Sequence, residues 1–204
     1  MTHLYLIRHA DYLYDLVDGQ YPKQNLGLSE EGKQQAERLR ARLVNGEIKP
    51  DVFLSSSERG ARETAEVLAP ALGLPFTLDD SIIEWRSEDG TLTTEEFMEP
   101  WRQLNDLQKP FHRWLDHCES WIEFSARVQT ALHRITQVHE GKTILLVTHG
   151  GIIQVSFYYF FGLGLSTFQR ASTTLKNTSI THWFKIENPD KWVLERFNDH
   201  HHLG

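Results

Sequence analysis

The stretch Thr143-Ile-Leu-Leu-Val-Thr148-His149-Gly150-Gly151-Ile-Ile153 decides how this chain folds. It opens a segment, Thr143 to Gln169, that contains no Asp, Glu, Lys or Arg and is long enough to cross a bilayer. His149, Gly150, Gly151, Gln154 and Ser156 interrupt it, and polar groups are expensive in hydrocarbon, so a membrane span is rejected. What remains is a short unbroken apolar strand, Ile144 to Val147, that turns directly into a buried helix, Ile152 to Phe161. A strand apolar on both sides belongs in a parallel sheet covered on both faces. Leu4 to Ile7 reads the same way and runs straight into Arg8 and His9.

Between these strands the chain alternates. Ser29 caps a helix with Ala36, Leu39 and Leu43 on one face, ending near Asn45-Gly46. Asp51 to Leu54 is a second short strand, and Ser55, Ser56 and Ser57 lead into a helix through Ala61, Ala65, Leu68 and Leu72, closed by Gly73 and Pro75. From Thr93 the pattern changes. A Thr93–Glu96 capping box, two prolines (Pro100 and Pro110) and the bulky Trp101, Leu104, Phe111, Trp114 and Leu115 predict an inserted helical lobe over about 93–120. A Ser120–Glu123 box then opens a helix through Val138. Ile180 to Ile186 and Trp192 to Phe197, joined by Asn188-Pro189-Asp190, read as a hairpin at a sheet edge. The chain reads as one α/β domain, 1–204, with an insertion.

Composition limits the function. The chain has 204 residues, 40% hydrophobic and 24% charged, which is globular usage. With 21 Lys and Arg against 28 Asp and Glu, its net charge is -7, which argues against a nucleic-acid or anionic-membrane binder. An anionic ligand therefore needs a local cationic pocket. The one cysteine, Cys118, precludes an intrachain disulfide and a cysteine zinc site. The N-terminus lacks the basic lead and long apolar run of a signal peptide, and a cytoplasmic location is expected. The scattered histidines lack metal-site spacing, and neither a metal nor another cofactor is expected.

Ligands of open α/β sheets sit where strand carboxyl ends meet helix N-termini. His9 with Arg8, and His149 with Gly150-Gly151, occupy two such places. Two imidazoles and a guanidinium at one sheet edge, with glycines that allow close backbone approach, suit a tetrahedral oxyanion. Phosphoryl transfer fits them, because it needs an aligned nucleophile and cations on the equatorial oxygens more than elaborate covalent machinery. A neutral imidazole can be that nucleophile when its other nitrogen is held by an acceptor.

The segments Leu-Ile-Arg8-His9-Ala10, Leu28-Ser-Glu-Glu-Gly32 with Gln35-Ala36, Ser55-Ser56 with Ala61-Arg-Glu-Thr64-Ala65, Glu84, Val147-Thr-His149-Gly-Gly, Asn177-Thr178-Ser179 and Phe197-Asn198-Asp199 resemble the histidine phosphatase superfamily, also called phosphoglycerate mutase-like, nearly end to end. The resemblance implies a three-layer α/β sandwich with a mostly parallel central sheet and helices on both faces. It implies His9 as phosphorylated nucleophile, Arg8 and His149 as phosphate ligands with Gly150 beside them, and Glu84 as general acid and then base. Four positions depart from the family's pattern. Gly60 stands where a second phosphate arginine is usual, leaving Arg59, or alternatively Arg62, to fill that role. Asp15 stands where an asparagine usually holds phosphate, and Ala10 replaces a common glycine. The usual Gly-x-Trp-Glu-Gly after Glu84 is absent, so Glu88 or Asp89 is an alternative acid. The expected activity is metal-independent hydrolysis of a small phosphomonoester through a phosphohistidine. The alternatives are a phosphoglycerate-type mutase and a catalytically weak phosphate-binding or protein-interaction module.

Overall fold

The computed structural model describes residues 1–14, 25–165, 173–187 and 191–204. In chain order the elements are β1 (Thr2–Arg8), β2 (Tyr12–Tyr14), β3 (Asn25–Leu28), α1 (Glu30–Val44), β4 (Val52–Ser55), α2 (Arg59–Leu72) and β5 (Thr77–Leu78). There follow α3 (Thr94–Gln103), α4 (Trp121–Val138), β6 (Thr143–Thr148), α5 (Gly150–Phe160), β7 (Ile180–Ile186) and β8 (Lys191–Asp199). Six strands form one sheet in the order β5-β4-β6-β1-β7-β8, while β2 and β3 pair separately. The first four strands of that order are parallel; β7 runs antiparallel to β1, and β8 antiparallel to β7. The expected edge hairpin is thus β7–β8, although its turn lies outside the described residues.

The unbroken apolar runs follow from burial on both faces. Leu4 and Leu6 of β1, with Ile144 and Leu146 of β6, enter a core completed by Phe124, Leu132 and Ile135 of α4 and Ile152 and Ile153 of α5. The alternate residues Ile7, Leu145 and Val147 enter a second core with Leu39 and Leu43 of α1 and Ala61, Ala65 and Leu68 of α2. Period-two alternation therefore sends successive side chains into different cores, and both must be apolar. Two helices on each face make the three layers.

Local signals place the helix ends. Ser29 accepts the Gly32 N–H at 2.9 Å, both capping boxes are formed, and Gly73 closes α2 at φ +60°. Gly32 is required by proximity, because a Cβ there would collide with the Asp11 carbonyl oxygen. Between 93 and 120 only α3 and a 3-10 turn at Lys109–Phe111 are helical. Pro100, read as punctuation, lies inside α3. That helix buries none of its residues, so water can satisfy the carbonyl the proline leaves without a donor. Aromatic stacking holds the rest of the lobe: Phe97 on Trp114 at 4.3 Å between ring centroids, Trp101 on Trp114 at 4.9 Å. Trp85 meets Trp114 of the lobe edge-on at 5.8 Å and Trp121 of α4 edge-on at 5.3 Å, tying the two together. Among the described residues no helix is long and apolar enough to cross a membrane.

Candidate active site

The parallel register pairs Ile7 with Val147 and Arg8 with Thr148, so adjacent strands end at the same level. Their next residues, His9 and His149, have ring centroids 5.0 Å apart and are 4% and 2% exposed. The His9 backbone N–H donates to the Thr148 carbonyl at 2.8 Å, and the Asn177 side-chain amide donates to the His9 carbonyl at 3.1 Å. His9 Nδ1 lies 2.7 Å from the Ala10 carbonyl oxygen. A carbonyl only accepts, so Nδ1 carries the proton and Nε2 keeps its lone pair. Burial first, then the neighbouring His149 and Arg8 charges, push the His9 pKa down to about 3, against the Ala10 hydrogen bond and the Glu58 charge. His9 is neutral in the folded protein at ordinary pH.

Arg8 is anchored by Nη1 donating to the Leu175 carbonyl, while its buried Nε has no hydrogen-bond partner among the described residues. It borders a cavity of about 270 Å³ lined also by Gly150, Gln154, Thr173, Thr174 and Leu175. Glu84 is fixed at the N-terminus of α5, where its oxygens accept the Gly151 N–H at 3.0 Å and the Trp85 N–H at 2.9 Å. Gly151 has to be glycine because a Cβ would run into Glu84 Oε1 and come within 3.0 Å of Phe124 Cζ. Arg127 of α4 steadies the same segment by donating to the carbonyls of Ser81, Ile83 and Glu84 while pairing with Glu119.

The remaining candidates divide. Arg59 pairs with Glu63 at 2.6 Å with its side chain 54% exposed, and Arg62 lies 3.6 Å from Glu66, also exposed. Each arginine thus lies against a glutamate of its own helix, four residues on. Helix α2 starts at Arg59, and Gly60 lies buried in its regular first turn without a positive φ. Its carbonyl accepts from Thr64 Oγ1 at 2.6 Å, and the same hydroxyl accepts the Ala10 N–H at 3.0 Å. Glu88 and Asp89 cap their own loop, on Gly90 and Thr91, with Asp89 also on His117. Asp15 lies outside the described residues.

Sequence reasoning missed Glu58. Its Oε2 lies 2.9 Å from His149 Nε2, which also lies 2.8 Å from Ser56 Oγ. Glu58 is the N-cap residue of α2, where an acidic side chain usually signals only a helix start, yet its side chain makes no capping bond. Only the fold shows that it faces the second histidine.

Fold and site together define the histidine-phosphatase class of α/β sandwich. The chain belongs to the histidine phosphatase superfamily (branch 1), whose family profile matches residues 4–200. It is 30% identical over 214 residues to the probable phosphoglycerate mutase GpmB of Escherichia fergusonii, covering 100% of this chain and 95% of that protein. It is 26% identical over 214 residues to the phosphoglycerate mutase-like protein 4 of Arabidopsis thaliana, covering 97% and 85%. Similar solved structures include the Entamoeba histolytica phosphoserine phosphatase in complex with 3-phosphoglyceric acid, with a TM-score of 0.71 at 26% identity over 100% of both chains. YhfR of Bacillus stearothermophilus reaches a TM-score of 0.77 at 24% identity over the same coverage.

Proposed function

We propose that the protein is a phosphomonoester hydrolase that needs no metal and acts on a small phosphorylated metabolite through a phosphohistidine at His9. One observation carries this reading: a buried, neutral imidazole whose Nδ1–H is held by a carbonyl, leaving Nε2 as the nucleophile. Nε2 attacks phosphorus and forms the N–P bond as the ester P–O bond breaks, and Glu84 in its acid form gives the leaving oxygen its proton. Water then attacks phosphorus while Glu84 takes its proton, the N–P bond breaks, and orthophosphate and neutral His9 result. Arg8 and His149 hold the phosphoryl oxygens throughout. An activated aryl phosphate hydrolysed in EDTA and quenched during turnover should leave acid-labile label on His9, and His9→Ala should abolish both label and turnover. Label elsewhere, or activity restored only by a divalent metal, would overturn this reading.

A mutase is the second reading, favoured by the names of the Escherichia fergusonii and Arabidopsis relatives. It uses the same phosphohistidine but returns the phosphoryl group to a second hydroxyl. Interconversion of the two monophosphoglycerates faster than release of phosphate would select it.

A further inference from the structure

We infer that Glu58 is a specificity-determining residue of this site: its carboxylate, set against His149, makes the pocket prefer a singly charged phosphoryl group to a doubly charged one. This deepens the proposed phosphoryl-transfer reading and rests on it. Geometry motivates the inference. Glu58 stands at the N-cap of α2 with extended backbone, but its side chain does not cap the helix. It turns instead to His149 Nε2 at 2.9 Å and accepts the Glu84 backbone N–H at 3.4 Å. Stabilising its own helix therefore does not account for where the carboxylate lies.

Among the described residues, carboxylates stand beside the cations at this site. Arg8 and His9 stand at the end of β1, His149 at the β6–α5 junction, and Glu84 in the segment leading to the lobe. Behind Glu84, Arg127 of α4 is paired with Glu119; on Glu58's own helix, Arg59 is paired with Glu63 and Arg62 stands beside Glu66. With His9 neutral and Glu58 ionised, the Glu58 carboxylate offsets the Arg8 guanidinium among these described groups. A dianion next to Glu58 meets a like charge within a few ångströms, a strongly unfavourable arrangement where water is excluded. A monoanion carries a P–OH that can donate to the Glu58 carboxylate, a short charge-assisted bond which the dianion cannot make. Burial raises the Glu58 pKa, but the hydrogen bond and charge of His149 more than offset it, so this carboxyl ionises below its ordinary value. A phosphate ester loses its second proton near pH 6. Across neutrality the ligand therefore changes charge while Glu58 does not.

Calorimetric titration with inorganic phosphate at about pH 5.5 and about pH 8, on wild type and Glu58→Gln, tests the inference. The amide keeps the size and one acceptor of the carboxylate and removes its charge. Other groups that titrate over this range act in both proteins, so the diagnostic quantity is the difference between them. At the higher pH Glu58→Gln should bind phosphate about tenfold or more tightly than wild type, and the ratio of its affinities at the two pH values should shrink by about the same factor; tenfold is about 1.4 kcal/mol. Glu58→Ala, which also removes the acceptor, should gain at the higher pH as well and should lose affinity at the lower one. Equal or weaker binding by Glu58→Gln at the higher pH overturns the inference, as does absence of phosphate binding in all three proteins. The phosphohistidine trap separates the two readings. A labelled His9 with equal affinities leaves hydrolysis standing without this role for Glu58, and the expected affinities without label leave the anion preference standing without hydrolysis.

Discussion

Glu84 has both carboxylate oxygens engaged by backbone N–H groups, one at Gly151 and one at Trp85, so its position is set by the main chain of two elements. Replacing it by Gln removes the transferable proton and keeps the size. Glu84→Gln should slow an alkyl phosphate, whose leaving oxygen is basic, by about 10²- to 10⁴-fold, and an activated aryl phosphate far less. Equal losses of kcat/KM on the two esters would take the proton-donor role from Glu84. Candidate site residues were legible in proportion to their dependence on strand ends. His9 and His149 each follow an unbroken apolar run, and the sequence alone shows that. Glu58 and Arg59 are consecutive charged residues at a helix start, and nothing in their spacing tells which one turns inward.

At the scale of elements, α5 joins the two halves of the site. Its N-cap is His149, and its first turn presents the Gly151 N–H to Glu84, where the helix dipole also favours a negative charge. A methyl group at Gly151 displaces the Glu84 carboxylate or the Phe124 ring, and the carboxylate is the more easily moved. Gly151→Ala should therefore lower kcat by about tenfold or more, a loss of about 1.4 kcal/mol or more of transition-state stabilisation, with the far-ultraviolet dichroism of the fold retained. Wild-type kcat in this variant would show that Glu84 need not be held at the helix start. Helices α1, α2, α4 and α5 were legible because each carries a cap, an apolar face or both. The β2–β3 pair was not: Asn25–Leu28 falls within a turn-rich stretch, and its pairing with Tyr12–Tyr14 is a non-local choice.

Over the whole molecule, several buried or half-buried histidines are held neutral. Burial, then the charges of His3 and Arg196, lowers the His182 pKa to about 4; burial, then Arg42 and His201, lowers that of His202 to about 4. His182 stacks on Tyr5 at 3.9 Å and shares a 3.0 Å hydrogen bond with His3, while His202 meets Thr178 Oγ1 at 2.9 Å. For each group, as for His9, the folded pKa lies below the ordinary 6.5. The unfolded chain therefore binds more protons between the two values, and the stability present above pH 6.5 is lost as pH falls through the folded pKa. Stability from denaturant titrations should be nearly flat just above neutrality and fall from about pH 6.5 to about pH 4. His182→Phe, which keeps an aromatic ring in the stack, should reduce that slope by about one proton, or about 1.4 kcal/mol per pH unit. An unchanged slope would mean that His182 does not take up its proton on unfolding.

The sequence by itself determined the parallel core, because strands buried on both faces need uninterrupted apolar residues, and Leu4 to Ile7 and Ile144 to Val147 have them. It also determined the helix ends, since caps are local contacts between residues a turn apart. By placing a histidine after each buried strand it marked the edge of the sheet where the site lies. Only the tertiary structure decided that β1 and β6 are neighbours in register, which converts two separate histidines into a pair 5.0 Å apart. It alone decided the charge of the pocket, because Arg59 and Glu58 differ in which side of one peptide they leave, and that choice depends on partners about 90 residues away, at His149, and only 4 residues away, at Glu63.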